Sequence, residues 1–155
     1  MPLSAPSAIK KSLHHTTRAL LDRRIAALER SIADLQATAN EEDKSSAGDK
    51  YETGREMMRQ EQEKMDAQLA QAYLLREQLS RLDPNEAHEH VQAGSLVITG
   101  EGRYYLAAAV GRVGLHGVNY FVLSTAAPLG RALLGKRVGE EVTVRGRKLK
   151  IEVVI

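Results

Sequence analysis

Two carboxylates, Asp49 and Glu52, lie three residues apart in the most acidic part of the chain. Between Asn40 and Glu56 six acidic residues stand against three basic ones. Carboxylate oxygens are the hard ligands that Mg²⁺ prefers, so one or two of them could recruit a weakly held ion. The same spacing is also typical of a capping box, in which an acidic N-cap and a glutamate three residues later open a helix. From the spacing alone the capping box is the favoured interpretation, and the two roles can coexist.

The composition argues against several other kinds of chemistry. The chain has no cysteine, which excludes disulfides, thiolate catalysis and Cys-based zinc sites. The pair His88 and His90 supplies too few ligands for a closed zinc site. We therefore predict that these two histidines, like His14 and His15, are surface residues. Only 4% of the residues are aromatic, with no Trp and one Phe, which leaves little material for an aromatic ligand pocket.

The first half of the chain has the apolar periodicity of two long helices. Between Ser7 and Asp83 there is no proline, and glycine occurs only at positions 48 and 54. Apolar residues recur in steps of three and four on both sides of a polar segment that begins at Asn40. In the second run, methionine, alanine and leucine recur every seven residues from Met58 to Leu79, which is the coiled-coil repeat.

These two runs predict an antiparallel coiled-coil hairpin with an acidic tip near residues 40–53. Short connections favour antiparallel neighbours, and each arm of about 30 residues would be about 45 Å long. We expect Pro84 to end the second helix. The alternative is an intermolecular coiled coil, in which two copies of the chain pair through the same apolar stripes and act as a structural adaptor.

The second half predicts a small α+β domain. Short runs of β-forming residues are separated by glycine-bearing turns at 100–102, 111–117, 139 and 146. Between the third and fourth runs, Pro128 and Gly135 bracket a short helical segment with leucines on one face. The predicted strands cover residues 95–99, 104–110, 118–124, 141–144 and 148–155. From Ala127 to Lys150 seven basic residues stand against two acidic ones, so this half is basic.

The segment from Ala127 to Glu140 reads APLGRALLGKRVGE. It resembles the C-terminal motif of the Gre transcript-cleavage factors, S-P-[IL]-[GA]-[RK]-A-L-[LI]-G-K-x-x-G-D. Ala127 stands where the family usually has Ser, which removes a helix N-cap, and we expect Thr125 to replace it in part. Glu140 stands where the family usually has Asp. At the predicted tip the family usually reads G-D-L-S-E-N, and residues 48–53 read GDKYET, which keeps the glycine and both acids.

The resemblance implies a fold and a function for most of the chain. Gre-type proteins have an N-terminal coiled-coil hairpin and a C-terminal antiparallel β-sheet domain that resembles FKBP folds. The C-terminal domain docks on RNA polymerase, and the hairpin enters the secondary channel. There, the tip acids help to hold a second Mg²⁺ in the polymerase's own active site, and the 3′ end of a backtracked RNA is cleaved. The chain would then stimulate a nuclease without being an enzyme itself.

The residues of this sequence take their roles from that resemblance. Asp49 and Glu52 become the catalytic and metal-binding acids, acting only together with the polymerase active site. Arg55 and Arg24 become candidates for contacting the nascent RNA. The polymerase-docking residues of the motif are Pro128, Leu129, Gly130, Arg131, Leu134, Gly135 and Lys136.

The predicted organisation is a hairpin over residues 1–82, a linker over 83–94 and the docking domain over 95–155. We expect a cytoplasmic monomer with no membrane partner, since the N-terminus lacks a signal-peptide core and no run of apolar residues reaches spanning length. Two further alternatives remain beside the coiled-coil adaptor. One is a secondary-channel regulator or inhibitor that does not stimulate cleavage, and the other is a prolyl isomerase in the FKBP-like domain, for which Tyr104, Tyr105, Tyr120 and Phe121 supply the only aromatic rings.

Overall fold

The computed structural model describes residues 5–45 and 49–155, with side chains described for 5–41 and 52–155. The described residues form two long helices, six strands and a short third helix between the fourth and fifth strands. In order, these elements are α1 (Pro6–Ser45), α2 (Asp49–Ser80), β1 (Leu96–Thr99), β2 (Arg103–Leu106), β3 (Gly111–Leu115), β4 (Val118–Leu123), α3 (Pro128–Leu133), β5 (Glu141–Val144) and β6 (Arg147–Val154).

The chain divides into two compact units, residues 20–76 and residues 1–19 with 77–155. Residues 1–19 and the last turn of α2 therefore belong to the same compact unit as the sheet. The boundaries at residues 82 and 95 proposed from the sequence stay a prediction of which parts fold by themselves.

In the unit of residues 20–76, α1 and α2 run antiparallel, as predicted. Arg76 Nη1 lies 3.0 Å from Asp22 Oδ1, and the Tyr73 hydroxyl donates a hydrogen bond to Glu29, so residues later in α2 meet residues earlier in α1. The guanidinium of Arg76 also lies 5.2 Å from the centre of the Tyr73 ring, a cation–π contact.

The predicted apolar stripes face each other, but their burial is uneven. Leu21, Ile25, Ala72 and Leu75 are buried. In the second half of α1 and the first half of α2, four stripe residues are only half-buried: Ile32, Leu35, Met58 and Met65. Two helices in contact shield only the facing stripe of each, so these stripe residues keep part of their surface in water.

The six strands form one sheet in the order β3-β4-β2-β1-β6-β5. Every neighbouring pair is antiparallel except β2 and β4, which run parallel with Tyr104 beside Phe121 and Leu106 beside Leu123. The prediction of an antiparallel sheet is therefore confirmed for most of the sheet. The exception arises because the chain adds the hairpin of β3 and β4 beside β2 through a crossover rather than a direct turn.

One face of the sheet carries the main hydrophobic core of the C-terminal region. Strand alternation directs residues from β1, β2, β5 and β6 to this face, and Leu133 of α3 and Val91 pack on them. The strict alternation predicted in β6 is confirmed, since Leu149 and Ile151 are buried while Lys148 and Lys150 are exposed.

The opposite face includes Tyr105, whose side chain is fully buried and makes a hydrogen bond of 2.7 Å with Nδ1 of His14 in α1. Lys10, one turn earlier in α1, is also fully buried. Its ammonium donates hydrogen bonds to the backbone carbonyl of Glu86 at 2.7 Å and to that of Ile155 at 3.0 Å. These two hydrogen bonds connect the beginning of α1 to residues that lie 76 and 145 positions later in the chain.

We expect Lys10→Ala to lower the free energy of unfolding by about 2 kcal/mol. The change deletes a buried aliphatic stem and leaves the carbonyl of Glu86 without its donor. Urea unfolding of the full chain followed by circular dichroism measures the effect. Lys11→Ala is the matched control because Lys11 is exposed, and it should change stability by no more than about 0.5 kcal/mol. Equal losses for the two variants would contradict this account.

Two predictions about local structure are wrong. Residues 111–117 are not a turn, because Gly111–Leu115 forms β3 and pairs with the whole of β4. Exposed glycines are tolerated there because β3 is an edge strand of the sheet. The prediction that all four histidines lie on the surface is also wrong: His15 and His90 are exposed, but His14 is half-buried and His88 is 8% exposed.

His88 is buried because the segment before β1 packs on the domain. Its Nδ1 lies 2.7 Å from Oγ of Ser95, and this hydroxyl also accepts a hydrogen bond from the backbone N–H of Gln92. Burial is the main cause that lowers the pKa of both His88 and His14 below the usual value of 6.5. Nearby cations act in the same direction, Lys10 on both and Arg18 on His14, while Glu86 and Asp83 oppose them.

These lowered pKa values predict an acid-sensitive fold. Below pH 6.5 the unfolded chain binds protons on His14 and His88 that the folded chain does not, so stability is full above that pH and falls as the pH is lowered. The measurement is the midpoint of urea unfolding at pH 7.5 and 5.5. His14→Gln with His88→Gln should reduce the difference, and the exposed control His15→Gln should leave it unchanged. A pH difference that persists in the double variant would refute the assignment.

Candidate functional site

The helix α3 begins with Pro128 at its first turn and has Ala127 as its N-cap. Proline is suited to this position because the N–H that it lacks is not needed in the first turn and its φ angle is already helical. No side chain caps the helix at Ala127, so the expected replacement by Thr125 is wrong. Instead, the Ser124 hydroxyl accepts a hydrogen bond from the N–H of Ala126 at 3.0 Å, one residue before the cap.

Gly130 is buried against the backbone that leads into α3. A Cβ at this position would overlap the carbonyl oxygen of Ser124 and come within 3.0 Å of Cα of Thr125. Because both neighbours are backbone atoms, they cannot rotate away as a side chain would. Glycine at this position lets α3 turn tightly onto the strand before it in this chain, whereas the alanine that the motif also allows would require the backbone of residues 124–125 to move.

After α3, the chain pairs with the segment that precedes β1. Gly135 adopts φ +79, a left-handed conformation that favours glycine, and its N–H donates to the carbonyl of Val91 at 2.8 Å. The N–H of Val91 donates in return to the carbonyl of Lys136 at 2.8 Å. Val91 is 1% exposed, so these two bonds hold an apolar residue of the predicted linker in the core.

Glu140 closes the motif through its carboxylate. Its Oε2 accepts a hydrogen bond from the backbone N–H of Arg137 at 2.6 Å, and its own N–H donates to the Arg137 carbonyl at 3.1 Å. A turn capped by a carboxylate needs an acidic residue. Glu140 supplies it in place of the aspartate that the motif usually has.

The seven predicted docking residues divide into inward and outward groups. Leu129 packs against the hydrophobic core and Gly130 is buried. Pro128, Arg131, Leu134 and Gly135 are exposed, and Lys136 is half-buried. Leu134 is an exposed large apolar residue at 39%, and Val138 at 57% is another on the same segment. Only the outward group can contact a partner directly, and the inward group fixes the position of α3.

A groove beside α3 was not predicted from the sequence. Two neighbouring cavities, of about 280 and 450 Å³, are both lined by Tyr104, Leu129 and Arg147. Phe121 lines the larger one and is 44% exposed. The rings of Tyr104 and Phe121 lie 6.1 Å apart at an angle of 31°. Of the four aromatic rings considered for an isomerase pocket, only these two line the groove, since Tyr105 and Tyr120 are buried.

The two candidate acids lie in the first turn of α2, which begins at Asp49. Residues three apart on a helix lie on the same side, so the backbone places both acids on one face. Glu52 is exposed. The side chain of Asp49 and residues 46–48 lie outside the described residues, so the geometry of this pair stays a prediction.

The two candidate RNA-contacting arginines lie far apart along the helices. Arg55 lines a cavity of about 300 Å³ with Asn40, whereas Arg24 lines another, of about 620 Å³, with Gln71 and Leu75. Residues 24 and 40 are about 24 Å apart along α1 at 1.5 Å per residue. A single nucleotide at the tip could therefore contact Arg55 but not Arg24.

Within residues 5–41 and 52–155, no group of three or more His, Asp or Glu side chains is arranged to hold a metal ion. Across the part of the chain that the structure describes, no helix is long and apolar enough to cross a membrane.

Among the comparisons with known proteins, the match to a family model covers the C-terminal part of the chain. Residues 117–155, which contain β4, α3, β5 and β6, match the family model for the C-terminal part of the GreA/GreB transcription elongation factors. No curated protein matches the chain. A solved structure of the transcription factor Gfh1 aligns at 22% identity over 89% of this chain and 91% of that chain, with a TM-score of 0.36. The C-terminal quarter of the chain is therefore similar to the C-terminal part of the GreA/GreB transcription elongation factors.

Proposed function

We propose that this chain binds RNA polymerase, inserts its helical hairpin into the secondary channel and stimulates cleavage of backtracked RNA. The observation that carries the proposal is the match of residues 117–155 to the GreA/GreB C-terminal domain. It occurs on the same chain as two antiparallel helices, one of which begins with Asp49 and carries Glu52 in its first turn. At 32 residues, α2 is about 48 Å long, a suitable length for reaching into a deep channel.

In this proposal the tip acids complete a metal site that belongs to the polymerase. Two carboxylates are too few to hold Mg²⁺ alone, since the ion keeps an octahedral shell with several waters. They suit an ion that is shared with other ligands. Two-metal cleavage needs both ions a few ångströms apart, where they stabilise the attacking and leaving oxygens. Asp49 and Glu52 would supply oxygen ligands to the more weakly held ion, and the chain itself would not be a nuclease.

The remaining candidate residues have supporting roles in the proposal. Arg55, in the turn after Glu52, would contact the displaced 3′ end of the nascent RNA through its phosphates. Arg24 would lie too far from the tip for the same nucleotide and would face upstream RNA or the channel wall. The exposed docking residues of α3 and the segment after it, Pro128, Arg131, Leu134, Gly135 and Lys136, would contact the polymerase surface.

The test is RNA shortening in stalled elongation complexes made with the polymerase of the same organism. Purified chain should bind these complexes and convert the stalled RNA to shorter, extendable products in the presence of Mg²⁺. Binding without shortening would instead identify a secondary-channel regulator. Absence of binding would reject the proposal, and a stable dimer in sedimentation would then favour the coiled-coil adaptor.

A further inference from the structure

A cavity of about 380 Å³ lies between the beginning of α1 and the end of β3. We call it the Lys11 cavity and define it by the residues that line it: Lys11, Ser12, His15, Thr16, Leu115 and His116. Both segments belong to the same compact unit of the chain. In β3, Leu115 lies on the face opposite to Arg112, the residue beside Phe121, so this cavity is separate from the groove beside α3.

The five polar side chains of the Lys11 cavity can all donate hydrogen bonds. Lys11 supplies an ammonium, Ser12 and Thr16 supply hydroxyls, and His15 and His116 supply ring N–H groups. On α1, Lys11 lies one turn before His15, and Ser12 one turn before Thr16, so each pair is on one side of the helix. Within residues 5–41 and 52–155, none of these five side chains forms a hydrogen bond or an ion pair with another protein group. Their donors are therefore available to a bound molecule.

The chain segments that build the cavity contain no carboxylate side chain. Residues 1–21 and 102–139 have neither aspartate nor glutamate, although the whole chain has 20 of these residues. Both segments carry lysine or arginine. A surface region with cations and no local acids has a positive potential that attracts anions. The charge pattern therefore favours an anionic ligand for this cavity.

His116 has a backbone conformation that residues with a side chain rarely adopt. Its φ angle is +51, and Gly117 follows with φ +77, so both residues of the connection between β3 and β4 are left-handed. Two-residue connections of this type favour asparagine, aspartate or glycine at the first position. Histidine is not needed for such a turn, but here it places an imidazole at the cavity. Unfavourable backbone conformations that a fold retains concentrate at binding and active sites.

The donor set fits a phosphate monoester better than a metal ion or a phosphodiester. A metal ion would find only two imidazole ligands, beside an ammonium that repels it. Each phosphodiester of a nucleic acid carries one negative charge. A phosphate monoester carries a charge of about −2 at neutral pH and has three strong acceptor oxygens, so it can use more of the five donors. Pockets for small ligands start at about 300 Å³, so the cavity also accommodates a small organic part.

We propose that the Lys11 cavity binds the phosphate group of a small phosphorylated metabolite. Lys11 and the imidazoles of His15 and His116 contact the phosphate oxygens through charge-assisted hydrogen bonds, and the two hydroxyls complete the set. The bound phosphate connects α1 to the hairpin of β3 and β4, so the folded chain becomes more stable as the ligand concentration rises. This site does not depend on polymerase binding and gives the chain a second, metabolite-dependent property.

The test follows the amide NMR signals of the full chain during titration with inorganic phosphate and with glucose 6-phosphate. Glucose is the control probe that lacks the phosphate group. We expect both phosphate probes to bind with a Kd of about 1 mM or lower and glucose to cause no shifts. The largest shifts should occur in residues 11–16 and 115–117. Absence of such shifts with both phosphate probes up to about 10 mM would refute the proposal.

Three variants test the assigned side chains with glucose 6-phosphate. Lys11→Gln with His15→Gln should raise Kd at least about tenfold. The control, Lys148→Gln with His90→Gln, also removes one lysine and one histidine from exposed positions, and it should change Kd less than about twofold. His116→Asn should raise Kd about fivefold without lowering the midpoint of urea unfolding, because asparagine suits this turn. A purely structural role of His116 would leave Kd unchanged.

Two further results would contradict the proposal. Equal losses of affinity in the cavity and control double variants would show that binding follows net charge alone. A short single-stranded DNA without a terminal phosphate is titrated in parallel, since it offers phosphodiesters only. Shifts at residues 11–16 and 115–117 with this DNA, and none with glucose 6-phosphate, would identify a site for the nucleic-acid backbone instead.

Discussion

Replacing Asp49 and Glu52 together with alanine is expected to slow RNA shortening in stalled elongation complexes about 100-fold or more. Removing groups that support a catalytic metal commonly costs 10- to 100-fold for each position, and here both proposed metal ligands are lost. Polymerase affinity should stay within about threefold, since the exposed docking residues lie in α3 and the segment that follows it. The measurement is the rate of product formation at saturating protein and at several Mg²⁺ concentrations, because a lost ligand should be partly offset by more metal.

The matched control is Glu61→Ala with Asp66→Ala. These two acids are exposed on the same helix, further from its beginning, so the control removes the same charge without altering the first turn. Acids in the first turn also stabilise a helix by about 0.3–1 kcal/mol each. The unfolding free energy of both variants is therefore measured as well. Equal rates of shortening in the tip and control variants would show that the acids serve only to open α2.

The second large effect is expected from Gly130→Ala, which should lower the free energy of unfolding by about 3 kcal/mol. The added Cβ overlaps the Ser124 carbonyl, so α3 must move away from the strand before it. Such a shift withdraws Leu133, which is fully buried, from the core. Overpacking of this kind typically costs 1–3 kcal/mol, and a rigid backbone neighbour places this variant at the upper end. Urea unfolding at neutral pH measures the change.

Gly114→Ala is the control for this variant. Gly114 lies in the edge strand β3, and a Cβ there would approach nothing closer than Oδ1 of Asn119 at 4.0 Å. Its backbone angle also suits any residue, so alanine should be neutral or slightly stabilising. If Gly130→Ala is as well tolerated as Gly114→Ala, the close approach of α3 to residues 124–125 is not a requirement of the fold.

The periodicity of the sequence predicted which helices and strands form better than it predicted which strands lie side by side. The facing stripes of α1 and α2 and the alternation in β6 follow from local patterns of burial, and both are confirmed. The strand β3 was missed because Gly111, Gly114 and Gly117 resemble turn residues, and an exposed edge strand tolerates glycine. The parallel pairing of β2 with β4 has no local signal, because alternation fixes which side of a strand is buried and not which strand lies beside it.

The same limit applies to the candidate site. The motif predicted α3 correctly. It could not show that Gly130 is buried while Arg131 is exposed, because the pattern contains both residues without regard to burial. The burial of His14 depends on Tyr105, 91 positions later in the chain. The groove combines Tyr104, Phe121 and Arg147 from three separate strands. One sequence signal for the groove was Phe121, the only phenylalanine in the chain. It lies on a strand whose buried side is already supplied by Tyr120 and Val122.

The uneven burial along α1 and α2 has a mechanical consequence. Apolar contact between two helices resists their separation in proportion to the area removed from water, at about 25 cal/mol per Å². This resistance is greatest around Leu21, Ile25 and Leu75, which are buried, and lower around Leu35 and Met58, which are half-buried. Spreading or bending the two helices near Leu35 and Met58 therefore requires less work than doing so near Leu75. A binding partner could adjust the approach of the helix ends at small energetic cost while the more deeply packed turns keep their spacing.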